Sequence, residues 1–242
     1  MNMKSSVLLC DPSHVNVRDD GFTGELTPRY PEQGLHNISV DPLSLPALRL
    51  FCISWPAAPP SFLFSTPEFY IHQDDLLVTY PESASCPFTL QLHWHIRSRG
   101  KSLGTKIDLV ASVNTSLLGI EPRICLESWL PNCRYDLLVG EDDSVDPRKQ
   151  SLINGVLCHL GPGGLNYTQM LHPKDQRTEP EVLVRKSEHG LRLSQTMFSQ
   201  SLEKGVIVRA RVCGYLMQVE NTVDSALRLL HEFASGEPPL ST

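Results

Sequence analysis

No stretch of this 242-residue chain approaches the roughly 18 consecutive apolar residues that would cross a bilayer as a helix, so a membrane partner is not expected. Nor is there an excess of positive charge. Lys and Arg number 21 against 27 Asp and Glu, giving a formal net charge of -6, which leaves no overall field to draw in a phosphate backbone and argues against nucleic-acid binding. The seven cysteines, at 10, 52, 86, 125, 133, 158 and 213, form no Cys-x-x-Cys pair, which excludes the common zinc and redox spacings. They read as small buried thiols in a reducing compartment. Gly-x-Ser-x-Gly, His-Glu-x-x-His and dinucleotide fingerprints are missing, and Gly161-Pro-Gly-Gly164 lacks the Lys-Ser/Thr ending of a phosphate loop. Val7-Leu-Leu-Cys10 is too short for a signal-peptide core, so the expected location is cytoplasmic. The sequons at Asn37, Asn114 and Asn166 are then read as chance.

What the chain does contain is alternation. From Phe88 to Arg97, apolar and polar residues alternate without a break. Because successive side chains of a strand project to opposite faces, Phe88, Leu90, Leu92, Trp94 and Ile96 share one face and Thr89, Gln91, His93, His95 and Arg97 the other. Similar short segments recur at Leu48 to Ile53, Phe69 to His72, Leu76 to Tyr80, Ile107 to Val113, Arg123 to Trp129, Tyr135 to Val139, Val156 to Leu160, Tyr167 to Leu171, Val182 to Arg185, Leu191 to Phe198 and Val206 to Met217. Turn formers or charged residues separate them. That spacing predicts a mainly β protein, an antiparallel β-sandwich of the large, supersandwich-like kind. Residues 1–41, rich in Gly, Pro and Asp, predict an irregular N-terminal arm, and residues 42–242 one sandwich domain with an exposed acidic loop over 140–150. One amphipathic helix is expected over 222–235, capped by Asn221 or Thr222 and stopped by Gly236 and Pro238-Pro239. Its stripe of Val223, Leu227, Leu230 and Phe233 or Ala234 is expected to dock on the sheet.

The chemistry-bearing residues sit mostly on polar strand faces. His93 and His95, two apart, present both imidazoles on one side and could share a divalent metal such as zinc or iron. A third ligand would have to come from His72, His159, His172, Glu127 or another acid; otherwise the pair are ordinary polar residues of the wetter face, and the expected case is a chain without a cofactor. Arg209 and Arg211 form a second same-face pair, suited to a carboxylate, phosphate or sugar hydroxyl, or to surface ion pairing. His172-Pro-Lys-Asp175 reads as a pocket edge or a plain loop. Cys158 and His159, being adjacent, face opposite ways and make no nucleophile-base dyad. Of the three tryptophans, Trp94 reads as core, and Trp55, next to Pro56, is the better platform candidate for a ring stack, or else packs beneath its loop.

The segments Leu202 to Arg211 and Asp74 to Tyr80, with the Phe88 strand after them, resemble uncharacterised planctomycete proteins of unknown function. The strand-dense layout resembles the large sandwich of galactose-mutarotase-type, carbohydrate-binding domains, although the sequence does not place that family's catalytic His and Glu. The resemblance implies a fold and not an activity. The sequence therefore points first to a sandwich that binds a polar ligand such as a carbohydrate on the face bearing Gln91, His93, His95 and Arg97, with Arg209 and Arg211 as further ligand contacts. A metal-dependent or sugar-isomerising, aldose-epimerase-like enzyme is the alternative; catalytic residues are not assigned. A protein-interaction module using the terminal helix or a sheet edge is the third reading.

Overall fold

The computed structural model describes residues 7–10, 14–55, 67–72, 74–100, 104–139, 153–161, 164–175, 183–188, 190–218 and 222–236; for residues 7–10 it describes the backbone alone. The acidic loop expected over 140–150 lies outside these residues. Where the sequence predicts an irregular arm over residues 1–41, the described residues between 7 and 45 include five short antiparallel strands. These are β1 (Val7–Cys10), β2 (Val15–Asp19), β3 (Phe22–Leu26), β4 (His36–Val40) and β5 (Leu43–Leu45), paired in that order. Strands of three to five residues leave little room for a visible period, and closely spaced turn formers are what joins them. Asp20 and Gly21, both at positive φ, make the two-residue hairpin turn between β2 and β3.

The remaining strands are β6 (Arg49–Ser54), β7 (Glu68–His72), β8 (Asp75–Tyr80), β9 (Thr89–Ser98), β10 (Thr105–Asn114), β11 (Ile124–Leu130), β12 (Arg134–Val139), β13 (Ile153–His159), β14 (Asn166–Leu171), β15 (Leu183–Ser187), β16 (Gly190–Met197) and β17 (Val208–Met217). Eight of them form one antiparallel sheet in the order β12-β13-β14-β17-β10-β9-β8-β7, and four form another in the order β15-β16-β11-β6. The last strand starts two residues later than its alternation suggests. Val206 closes a turn onto Glu203, and Val206 and Ile207 are exposed.

The inner face of the eight-stranded sheet supplies most of the core. In the β9–β10 ladder, Leu90 faces Val113, Leu92 faces Ala111, Trp94 faces Leu109 and Ile96 faces Ile107, and all eight are buried. They join Val17, Phe22 and Ile38 of the five-stranded sheet and Phe51, Ile53, Leu126 and Leu193 of the four-stranded sheet in one hydrophobic cluster. Each such side chain taken from water contributes about 1.5–3 kcal/mol. Sheet-to-sheet packing therefore dominates the stabilisation, and the N-terminal strands share in it.

The outer face of the same sheet is divided. At the β12–β13 end, Leu138, Leu157, Met170, Cys213, Tyr215 and Met217 form a smaller apolar cluster with Ala226 and Leu230 of the helix α1 (Val223–Ser235). Thr222 caps this helix, its Oγ accepting from the Ser225 N–H at 3.2 Å. The expected stripe is thus docked on the sheet, with Ala226 taking a buried place and Val223 largely exposed. Among the described residues no helix is long and apolar enough to cross a membrane, and the six cysteines whose side chains are described are free thiols.

Candidate functional site

Strand register brings together residues that are far apart in sequence. On the outer face, Asp75 of β8 lies opposite His95 of β9, which lies opposite Asp108 of β10, which lies opposite Cys213 of β17. One pair along, Val110 sits between His93 and Arg211. One pair the other way, Lys106 sits between Arg97 and Tyr215. His172, just beyond β14, donates its backbone N–H to the carbonyl of Arg211 at 3.0 Å. The last turn of α1 brings Glu232 and Phe233 over the same area. Between helix and sheet is a cavity of about 520 Å³, lined by Asp75, His93, His95, Arg97, Lys106, Asp108, His172, Arg211 and Phe233 among others.

The polar groups in it hold one another in place. Asp75 takes both histidines: His93 Nε2 donates to one carboxylate oxygen at 2.9 Å, and His95 Nδ1 donates to the other. Burial works to raise the Asp75 pKa, but the hydrogen bonds and charge of His95, then of His93, outweigh it and hold the carboxyl below its ordinary value. The two donations fix each ring, leaving Nε2 of His95 as its second nitrogen and Nδ1 of His93 buried without a hydrogen bond. Lys106 Nζ pairs with Asp108 at 2.9 Å. Arg211 forks onto Asp175 through Nε and Nη2, both at 2.9 Å, and donates from Nη2 to His172 Nδ1 at 2.9 Å. A guanidinium can only donate, so His172 is the neutral ring with its proton on Nε2. The Phe233 ring meets His172 edge-on at 5.2 Å, and Arg99 holds Glu232 at 3.0 Å, anchoring the helix end beside the cavity.

The arrangement therefore offers two kinds of histidine. His95 is oriented by a carboxylate, as a proton acceptor is; buried His172 is oriented by an arginine, as a hydrogen-bond donor is. Of the residues expected from sequence, His93, His95, Arg97 and Arg211 line the cavity. Gln91 and Arg209 do not: Gln91 donates to Thr79 at 3.3 Å farther along β9, and Arg209 is exposed opposite Ser112. Among the described residues no group of three or more His, Cys, Asp or Glu side chains is placed to hold a metal ion. Of the proposed third ligands, Glu127 is in the four-stranded sheet with Arg192 and His159 bonds Asp136 and Asn166, whereas His172 lines the same cavity as His93 and His95 with its Nδ1 taken by Arg211. Trp94 is core, Trp55 packs edge-on against Phe88 at 5.1 Å, and Trp129, the exposed one, lies beneath the Arg192 guanidinium at 4.8 Å. Asp75, Lys106 and Asp108 are additions to the site; the signal for Asp75 was the hairpin register from β8 to β9.

No protein-family model and no curated protein matches the sequence. Solved structures do match. A candidate mutarotase from Salmonella typhimurium superposes with a TM-score of 0.54 at 10% identity, over 88% of this chain and 94% of that one. The fold is a galactose-mutarotase-like sandwich. A protein of Synechocystis sp. PCC 6803 gives a TM-score of 0.58 at 9% identity, over 89% of this chain and 99% of the other. At such identities the galactose-mutarotase-like likeness concerns architecture, and the chemistry has to be argued from the side chains above.

Proposed function

We propose that the protein binds a carbohydrate in the cavity between α1 and the outer face of the eight-stranded sheet. The observation that carries this reading is the mixed lining. Sugar hydroxyls both donate and accept, and here fixed acceptors (Asp75, Asp108) and fixed donors (Lys106, Arg211, His172) stand around one space with an aromatic ring, Phe233, at its side. The fold shared with a candidate mutarotase supports the same ligand class.

A second reading, sugar isomerisation by proton transfer, is favoured by the contrast between His95 and His172. In it His95, held by Asp75, accepts a proton from the anomeric hydroxyl through Nε2, and the Nε2–H of His172 donates toward the ring oxygen; neither step uses a metal. Ligand-observed NMR against a panel of free aldoses, with polarimetry of a fresh α-anomer, tests both. Binding of at least one aldose that is lost in Asp75→Asn and His95→Ala, with circular dichroism unchanged, is the expected result. Anomer equilibration above the buffer rate that falls by about 100-fold in His95→Ala would establish the second reading. A panel that gives no saturation transfer to any sugar overturns the carbohydrate proposal.

A further inference from the structure

The cavity lies over β8, β9, β10 and β17, with the last turn of α1 on its β17 side. On the other side the same outer face runs on across β8 to the edge strand β7. Strand register lays the outward side chains of this face in rows that cross the strands. The middle row is Tyr70, Leu77, His93, Val110 and Arg211, each the Cα partner of the next. Glu68, Thr79, Gln91 and Ser112 make the row on one side, and His72, Asp75, His95 and Asp108 the row on the other.

Between the cavity and the sheet edge these rows differ in chemistry. The middle one is apolar there: Leu77 is half-buried, and Tyr70 follows it with 60% of its surface exposed. Both flanks carry hydrogen-bonding groups, Gln91 and Thr79 on one, Asp75 and exposed His72 on the other. The alternation of β7 sends Phe69 and Ile71 inward against the core, so Tyr70 is turned away from it. Of the two aromatic rings largely exposed among the described residues, Trp129 lies beneath the Arg192 guanidinium, and Tyr70 is the one on this face. A pyranose ring has the complementary build, with C–H groups on its faces and hydroxyls around its rim. Laid on the middle row, it meets Leu77 or the Tyr70 ring with a face and turns its rim to the polar rows.

Resting on the reading that the cavity takes a sugar, we propose that the ligand is an oligosaccharide of at least three units, whose terminal unit enters the cavity while the rest of the chain crosses β8 to stack on Tyr70. Neighbouring strands are about 4.8 Å apart, so Tyr70 stands about 10 Å from His93, a span that two linked pyranose units cover. Because α1 stands at the opposite side, the end of the chain and not its middle lies in the cavity. Gln91, outside the cavity itself, is then placed to meet the hydroxyls of the units beyond it.

Saturation-transfer NMR titration of the full chain with glucose, galactose and mannose, and with maltotriose, cellotriose, galactotriose and mannotriose, tests this. The expected result is at least one trisaccharide bound about 10-fold more tightly than its own monosaccharide, with saturation reaching protons of all its units. Tyr70→Thr, which keeps a good strand former and removes the ring, should abolish that gain and leave monosaccharide binding as it was. Tyr70→Phe, which keeps the ring, should preserve the gain. Circular dichroism should be unchanged in both, since the side chain is exposed on an edge strand. A trisaccharide bound no more tightly than its monosaccharide, or a gain that survives Tyr70→Thr, overturns the extension to Tyr70 and leaves the cavity reading standing. A panel in which neither monosaccharide nor trisaccharide binds overturns both.

Discussion

The two halves of the outer face of the eight-stranded sheet differ in what covers them. Under α1 the sheet presents Leu138, Leu157 and Met170, and the helix returns Ala226 and Leu230. Beyond the helix it presents Asp75, His93, His95, Arg97 and Asp108, with the helix end beside them. The halves lie on different strands and meet at β17, which carries Cys213 and Tyr215 into the apolar cluster and Arg211 into the cavity lining. The division shows that a sheet face need not be wholly apolar or wholly wet. Where the helix docks, burial contributes stability, and where it stops, paired charges line an open space.

That contrast can be tested by substitutions of decreasing effect. The deepest is on the opposite face: Trp94→Ala removes a core side chain beneath both histidines and is expected to cost about 3–5 kcal/mol in urea unfolding, and, with the fold, any binding in the cavity proposed above. A variant that unfolds at the wild-type midpoint would contradict the division into a stabilising inner face and a polar outer one. Leu230→Ala should cost about 2–3 kcal/mol, and hydrogen exchange should rise in 222–236 ahead of the strands; uniform loss of protection would mean that helix and sheet unfold as one unit. The smallest effect is acid destabilisation through Asp75. Its carboxyl pKa is depressed in the folded state, so its contribution is complete above the ordinary carboxylate range near about 4 and is lost as pH falls through the lower folded value. Wild type and Asp75→Asn should therefore converge in stability below that range and differ above it; parallel curves would show that Asp75 is not coupled to the histidines.

Much of the architecture was legible in local pattern. The alternation from Phe88 to Arg97 located β9 to within a residue, and the stripe through Leu230 located α1. Strand neighbours were not legible, because pairing is set by chain-distant packing. Asp75 is 20 residues from His95, and only the hairpin register makes them partners. Arg209 was grouped with Arg211 on the sound ground that they share a face, yet a face is longer than a site, and two residues along β17 take Arg209 out of the cavity. The N-terminal sheet escaped notice because the period of a strand such as Leu43–Leu45 cannot be told from chance.

The place of β17 has a consequence for how the molecule is made. It is the last strand in the chain among the described residues, yet it lies inside the sheet, between β14 and β10. Until residues 208–217 are synthesised, the strands β7 to β10 and β12 to β14 are two separate ribbons, each with an open edge facing the gap. The sheet, and the cavity that draws residues from both sides of β17, can close only once residues 208–217 exist. Folding of this sandwich is accordingly a late, long-range event, and a nascent chain halted before residue 208 would display two sticky edges to its neighbours.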